Sequence, residues 1–160
     1  MAKHLLSQAA HDRLRAEHED LTTRGRIEVA QKIEVARAHG DLKENGDYHA
    51  AKDEQGHMEG RIRLIESILS DAEIAPPSPP GTVGLGSVVA IVYEGDDDDA
   101  AEHYLIGHVE ERPTADHVSV MSPTSPLGAA LMGATTGQTV SYQAPRGTLK
   151  VRVLRADAAI

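Results

Sequence analysis

Residues 48–72 read Tyr48-His-Ala-Ala-Lys-Asp-Glu-Gln-Gly-His-Met-Glu-Gly-Arg-Ile-Arg-Leu-Ile-Glu-Ser-Ile-Leu-Ser-Asp-Ala72. Within them Tyr48, Ala51, Gln55, Met58, Ile62, Ile65, Leu69 and Ala72 recur at alternating spacings of three and four. That period keeps one stripe of a helix apolar and describes a coiled-coil seam, with charged residues on the other faces. Upstream, Leu14, Leu21, Val29, Ile33 and Ala36 share a face only if the helical phase drifts between Leu21 and Val29, a stutter-like irregularity. Ser7 is a candidate N-cap for this first helix. The two periodic segments are separated by His39-Gly-Asp-Leu-Lys-Glu-Asn-Gly-Asp47, with glycine near both ends, a turn signal. Helices joined this closely fold back antiparallel. About 28 residues per arm give a rod of about 40 Å. Most of such a rod has only its own partner helix to pack on, which suits a probe better than a core.

Composition changes near residue 75. Residues 1–75 contain no proline and 11 of the 16 basic residues. Ala75-Pro-Pro-Ser-Pro-Pro-Gly-Thr-Val-Gly-Leu-Gly86 then cannot continue a helix and reads as a semi-rigid linker. Beyond it the period shortens to two, and strands are expected at Val88–Tyr93, His103–Val109, Val118–Met121, Thr139–Tyr142 and Thr148–Arg155. A short apolar helix over Pro126–Met132 falls between the third and fourth. The expected class is α+β. A hairpin over residues 1–75, with an acidic tip near 40–47, leads through a linker at 76–86 into a small α+β domain at 87–160.

The 160 residues carry 16 Lys and Arg against 25 Asp and Glu, a formal net charge of −9. Both halves are acidic, which argues against a chain that coats nucleic acid by itself, since phosphate binding needs an excess of cations. Without cysteine there are no disulfides, thiolate nucleophiles or Cys-ligated zinc. The only aromatics are Tyr48, Tyr93, Tyr104 and Tyr142, too few for a base-stacking platform. The N-terminus lacks the apolar core of a signal peptide, and the longest apolar run, Val88–Tyr93, is far short of a membrane span. The expectation is a soluble cytoplasmic protein with no membrane contact.

Three carboxylates, Asp41, Glu44 and Asp47, crowd the tip. Asp41-x-x-Glu44 has the spacing of a capping box, with Asp41 capping the second helix and Glu44 reaching back. The same pair suits a hard divalent cation such as Mg²⁺, which takes one or two protein oxygens and fills its shell with water and phosphate. Alone, that site would be weak. Arg37, Lys43 and Lys52 near the tip read either as salt-bridging helix surface or as guides for a phosphodiester chain. The acidic run Asp96–Asp99 lacks the alternating ligand spacing of a calcium loop and reads as a solvated turn. The nine histidines show no metal-ligand spacing. In Ser122-Pro-Thr-Ser-Pro-Leu-Gly128, Ser125 and Pro126 read as an N-cap followed by an N1 proline, on an exposed loop suited to docking.

The stretch Ala36-Arg-Ala-His-Gly-Asp-Leu-Lys-Glu-Asn-Gly-Asp-Tyr-His-Ala-Ala-Lys-Asp-Glu-Gln-Gly-His-Met-Glu-Gly-Arg61 closely resembles the signature of the Gre transcription elongation factors, GreA type. Ser125-Pro-Leu-Gly-Ala-Ala-Leu-Met-Gly133 resembles the family's C-terminal motif, and Pro145-Arg-Gly147 before a last strand also fits. The resemblance implies an antiparallel coiled coil followed by an FKBP-like domain, as a monomer. It further implies that the C-terminal domain docks on bacterial RNA polymerase, where Ser125, Pro126, Leu127 and Gly128 match the docking motif. The coiled coil would then reach through the secondary channel. There Asp41 and Glu44 would help the polymerase hold Mg²⁺, shared with the enzyme and not bound alone, and activate the water that cleaves backtracked nascent RNA. On this reading the chain is not itself an enzyme but stimulates the polymerase's own endonucleolytic activity. Arg37, Lys43, Tyr48 and Lys52 would support the RNA and the tip. Gly46 stands where many members have alanine, and His39 where an acidic residue is common.

Three other readings compete. A Gre-like regulator could occupy the channel without cleavage, which the intact Asp41 and Glu44 disfavour. A prolyl isomerase would need an aromatic-walled pocket, and the domain has three tyrosines with no Phe or Trp. A free-standing coiled-coil dimer would need a partner in solution.

Overall fold

A computed structural model describes residues 4–41 and 44–158 as two compact units. The first, His11–Asp71, is a helical hairpin. Helix α1 (Gln8–Asp20), whose first residues belong to the second unit, runs through a π-helical turn at Leu21–Gly25 into α2 (Arg26–Arg37). Helix α3 (Gly46–Ser70) returns. The ion pairs Glu17–Arg61, Arg26–Glu59 and Lys32–Glu54 advance along one arm as they recede along the other, so the arms are antiparallel.

The π turn falls where the apolar phase drifts. The Thr22 and Thr23 hydroxyls donate to the His18 and Glu19 carbonyls, each at 2.7 Å, within the loosened ladder. The wider turn resets the phase, so that Leu14 before it and Val29 and Ala36 after it are all buried. Gly25 sits against α3, where an added Cβ would come within 3.1 Å of the Met58 sulfur. On α3 the seam holds at Ala51, Ile62 and Ile65 but then shifts to Ile68, which is 3% exposed, while Leu69 is only half-buried. Ala72 leaves the seam altogether: the helix ends at Ser70, and Ala72 opens a strand.

The second unit comprises residues 4–10 and 72–158, a division that differs from boundaries at 75 and 87. Two three-residue strands were not legible from periodicity. Strands β1 (His4–Leu6) and β2 (Ala72–Ile74) pair in parallel, His4 opposite Ala72. Ser7 caps α1 as expected, its Oγ accepting from the Ala10 amide at 3.1 Å. It is itself held by Glu111, whose buried carboxylate accepts from the Ser7 amide and hydroxyl at 2.9 and 2.8 Å.

The main sheet has five strands in the order β5-β4-β3-β7-β6. They are β3 (Ser87–Tyr93), β4 (Glu102–Ile106), β5 (Val118–Met121), β6 (Thr139–Ala144) and β7 (Gly147–Ala158). Only β4 and β5 run parallel; the other neighbours are antiparallel. The short helix α4 (Pro126–Leu131) closes the core, in which Leu131 meets Val89, Ile91, Ile106, Val151 and Val153. Val83, from the stretch read as linker, is part of that core at 2% exposure, and Thr82 bridges to Thr135. Once an apolar side chain is buried, its backbone is packed with it, so the semi-rigid stretch ends before Val83. The acidic run is an exposed turn between β3 and β4, with Arg152 paired to Asp98 at 2.7 Å. Among the described residues, no helix is long and apolar enough to cross a membrane.

Candidate functional site

The hairpin tip is built from the end of α2, a connecting turn and the start of α3. Helix α2 ends with the Ala38 amide donating to the Glu34 carbonyl and the His39 amide to that of Ala36. Gly40 follows at φ +130°, a conformation that side chains rarely adopt, and turns the chain away. The next helix is capped by Asn45, not Asp41: Asn45 Oδ1 accepts from the Tyr48 amide at 3.0 Å. The capping box fails because α3 begins at Gly46, and an N-cap must stand next to its helix. Asp47 lies in the first turn, where a negative charge complements the helix dipole.

Asp41 and Glu44 are therefore exposed turn residues on the approach to α3, with Asn45 as its cap. Two carboxylates on one short turn offer oxygen donors of the kind a hard divalent cation accepts. Among the described residues, no group of three His, Cys, Asp or Glu is placed to hold a metal. Two carboxylates would fill only part of the six-ligand shell such an ion takes.

In the sequence Asn45 stands out only as part of a motif. Its signal was the preference for Asn immediately before a helix start. Structure adds a second bond that no local pattern announces. Asn45 Nδ2 donates to the Ala36 carbonyl, nine residues back on α2, at 2.5 Å.

The sheet unit carries the other candidate region. Ser125 Oγ accepts from the Gly128 amide at 3.1 Å and donates to the Ser122 carbonyl at 2.7 Å, with Pro126 as the first helical residue. An added Cβ at Gly128 would fall 1.9 Å from the Ser122 oxygen, so only glycine fits there. Pro126 is exposed and Ser125 partly so, whereas Leu127 and Gly128 are buried and shape the loop from beneath. Tyr93, Tyr104 and Tyr142 pack against the domain core. The hydroxyls of Tyr93 and Tyr142 lie 3.3 Å apart, and that of Tyr104 donates to Glu102 at 2.8 Å. Burial and the Glu102 carboxylate push the Tyr104 hydroxyl up to about 12.

Comparison with known proteins places both regions in one family. Residues 4–74 match the N-terminal domain of transcription elongation factors, and residues 78–157 match the GreA/GreB C-terminal domain. The chain belongs to the GreA/GreB family. It is 44% identical to the transcription elongation factor GreA of Saccharopolyspora erythraea, over 95% of this chain and 93% of that protein. It is 43% identical to GreA of Mycobacterium tuberculosis, with the same coverage. Among solved structures, GreA factor homolog 1 (Gfh1) of Thermus thermophilus is 28% identical, covering 96% of this chain and 98% of that one, with a TM-score of 0.42.

Around the tip of this GreA/GreB family member, Arg37 is exposed at the last position of α2. Lys52 is exposed on α3, its Nζ donating to Gln55 at 2.8 Å. Tyr48 is half-buried, its ring 5.7 Å from that of His49. Lys43 lies outside the described residues. His39 is exposed.

Proposed function

We propose that this transcription elongation factor stimulates cleavage of backtracked nascent RNA by bacterial RNA polymerase. The supporting observation is the division of labour at the tip. Asn45 takes the structural task of capping α3, and two exposed carboxylates stand just before it. Both acids are exposed, within reach of a partner that meets the tip.

The Ser125–Pro126 loop is the candidate docking surface on the polymerase, and the hairpin carries Asp41 and Glu44 toward its active centre. There the two carboxylates would hold, together with polymerase residues, a Mg²⁺ ion. When bound, such an ion polarises a phosphoryl oxygen and makes its water acidic enough to act as a nucleophile. The chain's own contribution is to bring anionic acceptors to the reacting water and orient it. Water attacks the phosphorus, the P–O3′ bond to the retained RNA breaks, its 3′-oxygen takes up a proton to become an extendable 3′-OH, and the 3′ fragment leaves with a 5′-phosphate. Arg37 and Lys52 offset the repulsion between the acidic tip and the RNA backbone. An acidic chain is compatible with this chemistry because the polymerase, not this protein, selects the RNA.

The test adds the protein to a stalled, backtracked elongation complex and follows RNA length. Shortened RNA should appear faster than with polymerase alone. Asp41→Asn combined with Glu44→Gln should return the rate to that of polymerase alone while the protein still competes for polymerase. No acceleration by the wild type would leave a channel-occupying regulator as the better reading. Unchanged cleavage by the double variant would remove the carboxylates from the mechanism.

A further inference from the structure

We propose that Asn45 is a positioning residue for the tip carboxylates, acting as a clamp that ties the end of α2 to the start of α3. The inference rests on the cleavage reading of the tip and adds to it the device that holds the turn in shape.

One side chain makes both bonds. Its Nδ2 donates to the Ala36 carbonyl at 2.5 Å, and its Oδ1 accepts from the Tyr48 amide at 3.0 Å. The amide has a single satisfiable orientation, since flipping it would set oxygen against the Ala36 carbonyl and NH₂ against the Tyr48 N–H. Ala36 and Tyr48 sit on opposite arms, so the bonds fix the separation of the two helix ends. Ala36 is 3% exposed and Asn45 half-buried, which shields the clamp from water more than the turn it closes. The Ala36 carbonyl also receives the His39 amide at 3.2 Å, so the last turn of α2 and the cap of α3 share one acceptor. Asp41 and Glu44 both lie between the clamped points, and Glu44 is bonded directly to Asn45 in the chain.

Holding Ala36 and Tyr48 together leaves the two helix ends that flank Asp41 and Glu44 fewer conformations to lose when a metal and a polymerase engage them. Preorganisation of this kind is what a shared, individually weak ion site needs, because misplacing a ligand by about 1 Å can cost about a hundredfold in rate. A simple cap would not need the second bond. Asp or Ser serves equally well as a cap, and Thr somewhat less well, but none can donate from the position of Asn Nδ2.

Asn45→Asp therefore separates the two roles. It keeps the acceptor for Tyr48, removes the donor and faces a carboxylate toward the Ala36 carbonyl. Asn45→Ser keeps a cap of shorter reach and adds no charge. Full-length protein and both variants are titrated into a backtracked complex at varied Mg²⁺. Cleavage at saturating protein should fall about tenfold in both variants, and the Mg²⁺ needed for half-maximal rate should rise about tenfold. The protein concentration for half-maximal effect should not change. In the isolated protein, backbone NMR should show residues 38–41 loosening while the Tyr48 amide stays ordered in Asn45→Asp. Wild-type cleavage by Asn45→Asp would overturn the clamp and leave a cap. So would a loss that appears only as weaker polymerase affinity at unchanged Mg²⁺ demand. If wild-type protein fails to accelerate cleavage, the cleavage reading falls, and the NMR comparison alone decides whether the clamp exists.

Discussion

Along α2 and α3, buried side chains come only about one per two helical turns: Val29 and Ala36 on α2, Ala51, Ile62, Ile65 and Ile68 on α3. Toward the tip they shrink to alanine. Exposed ion pairs flank them, Arg26–Glu59 at 2.9 Å and Lys32–Glu54 at 2.9 Å. The Arg26 guanidinium holds the Glu59 carboxyl below its ordinary range. In the sheet unit, by contrast, ten buried residues form one continuous cluster, closed by α4. A rod has a large surface for its volume and cannot bury much per residue, whereas a sheet with a helix across it can. The tip is consequently held by a few specific hydrogen bonds, and the sheet unit by packing.

The largest effect expected from this contrast is at Leu131, which is fully buried in the sheet core. Leu131→Ala should destabilise that unit by about 2–5 kcal/mol, through lost burial and a residual cavity. Denaturant unfolding followed at the domain's tyrosines would measure it, and a cost under about 1 kcal/mol would break the claim that packing dominates there. Gly128→Ala should come next, at about 1–3 kcal/mol, because the new methyl must displace the Ser122 carbonyl. The same variant should weaken competition for polymerase while leaving the hairpin's helicity unchanged. The smallest effect belongs to the hairpin surface. Lys32→Ala should cost roughly 0.2–1 kcal/mol, since Lys32 and Glu54 are 58% and 51% exposed and already solvated. That cost should shrink further in high salt. A Lys32→Ala penalty approaching that of Leu131→Ala would show that ion pairs hold the rod.

The parts legible in the sequence are those that repeat. The seam announced α3, the phase drift marked where the first arm becomes irregular without saying how, and alternation located all five strands of the main sheet to within a few residues. Asp41 and Glu44 were legible as chemistry, and the family signature around them gave that chemistry a purpose. What did not repeat was missed. Three-residue strands such as β1 and β2 are too short to display a period, and each forms only because its partner lies nearly seventy residues away. Val83 looked like linker because its Pro- and Gly-rich neighbours outweigh one valine in any window. Ile68 replaced Leu69 because the register at the end of a helix follows what surrounds it, which spacing cannot report.

From the sequence alone came the two-part order, the helical hairpin, the acidic turn and the family, all encoded in local period, composition and motif. Tertiary structure decided which residue caps α3, where the hairpin hands over to the sheet unit, and which residues of the 125–128 loop face outward. Those outcomes depend on partners far apart in the chain. Asn45 shows why most directly: its cap bond to Tyr48 is local and readable, while its bond to Ala36 exists only once the two arms have folded back on each other.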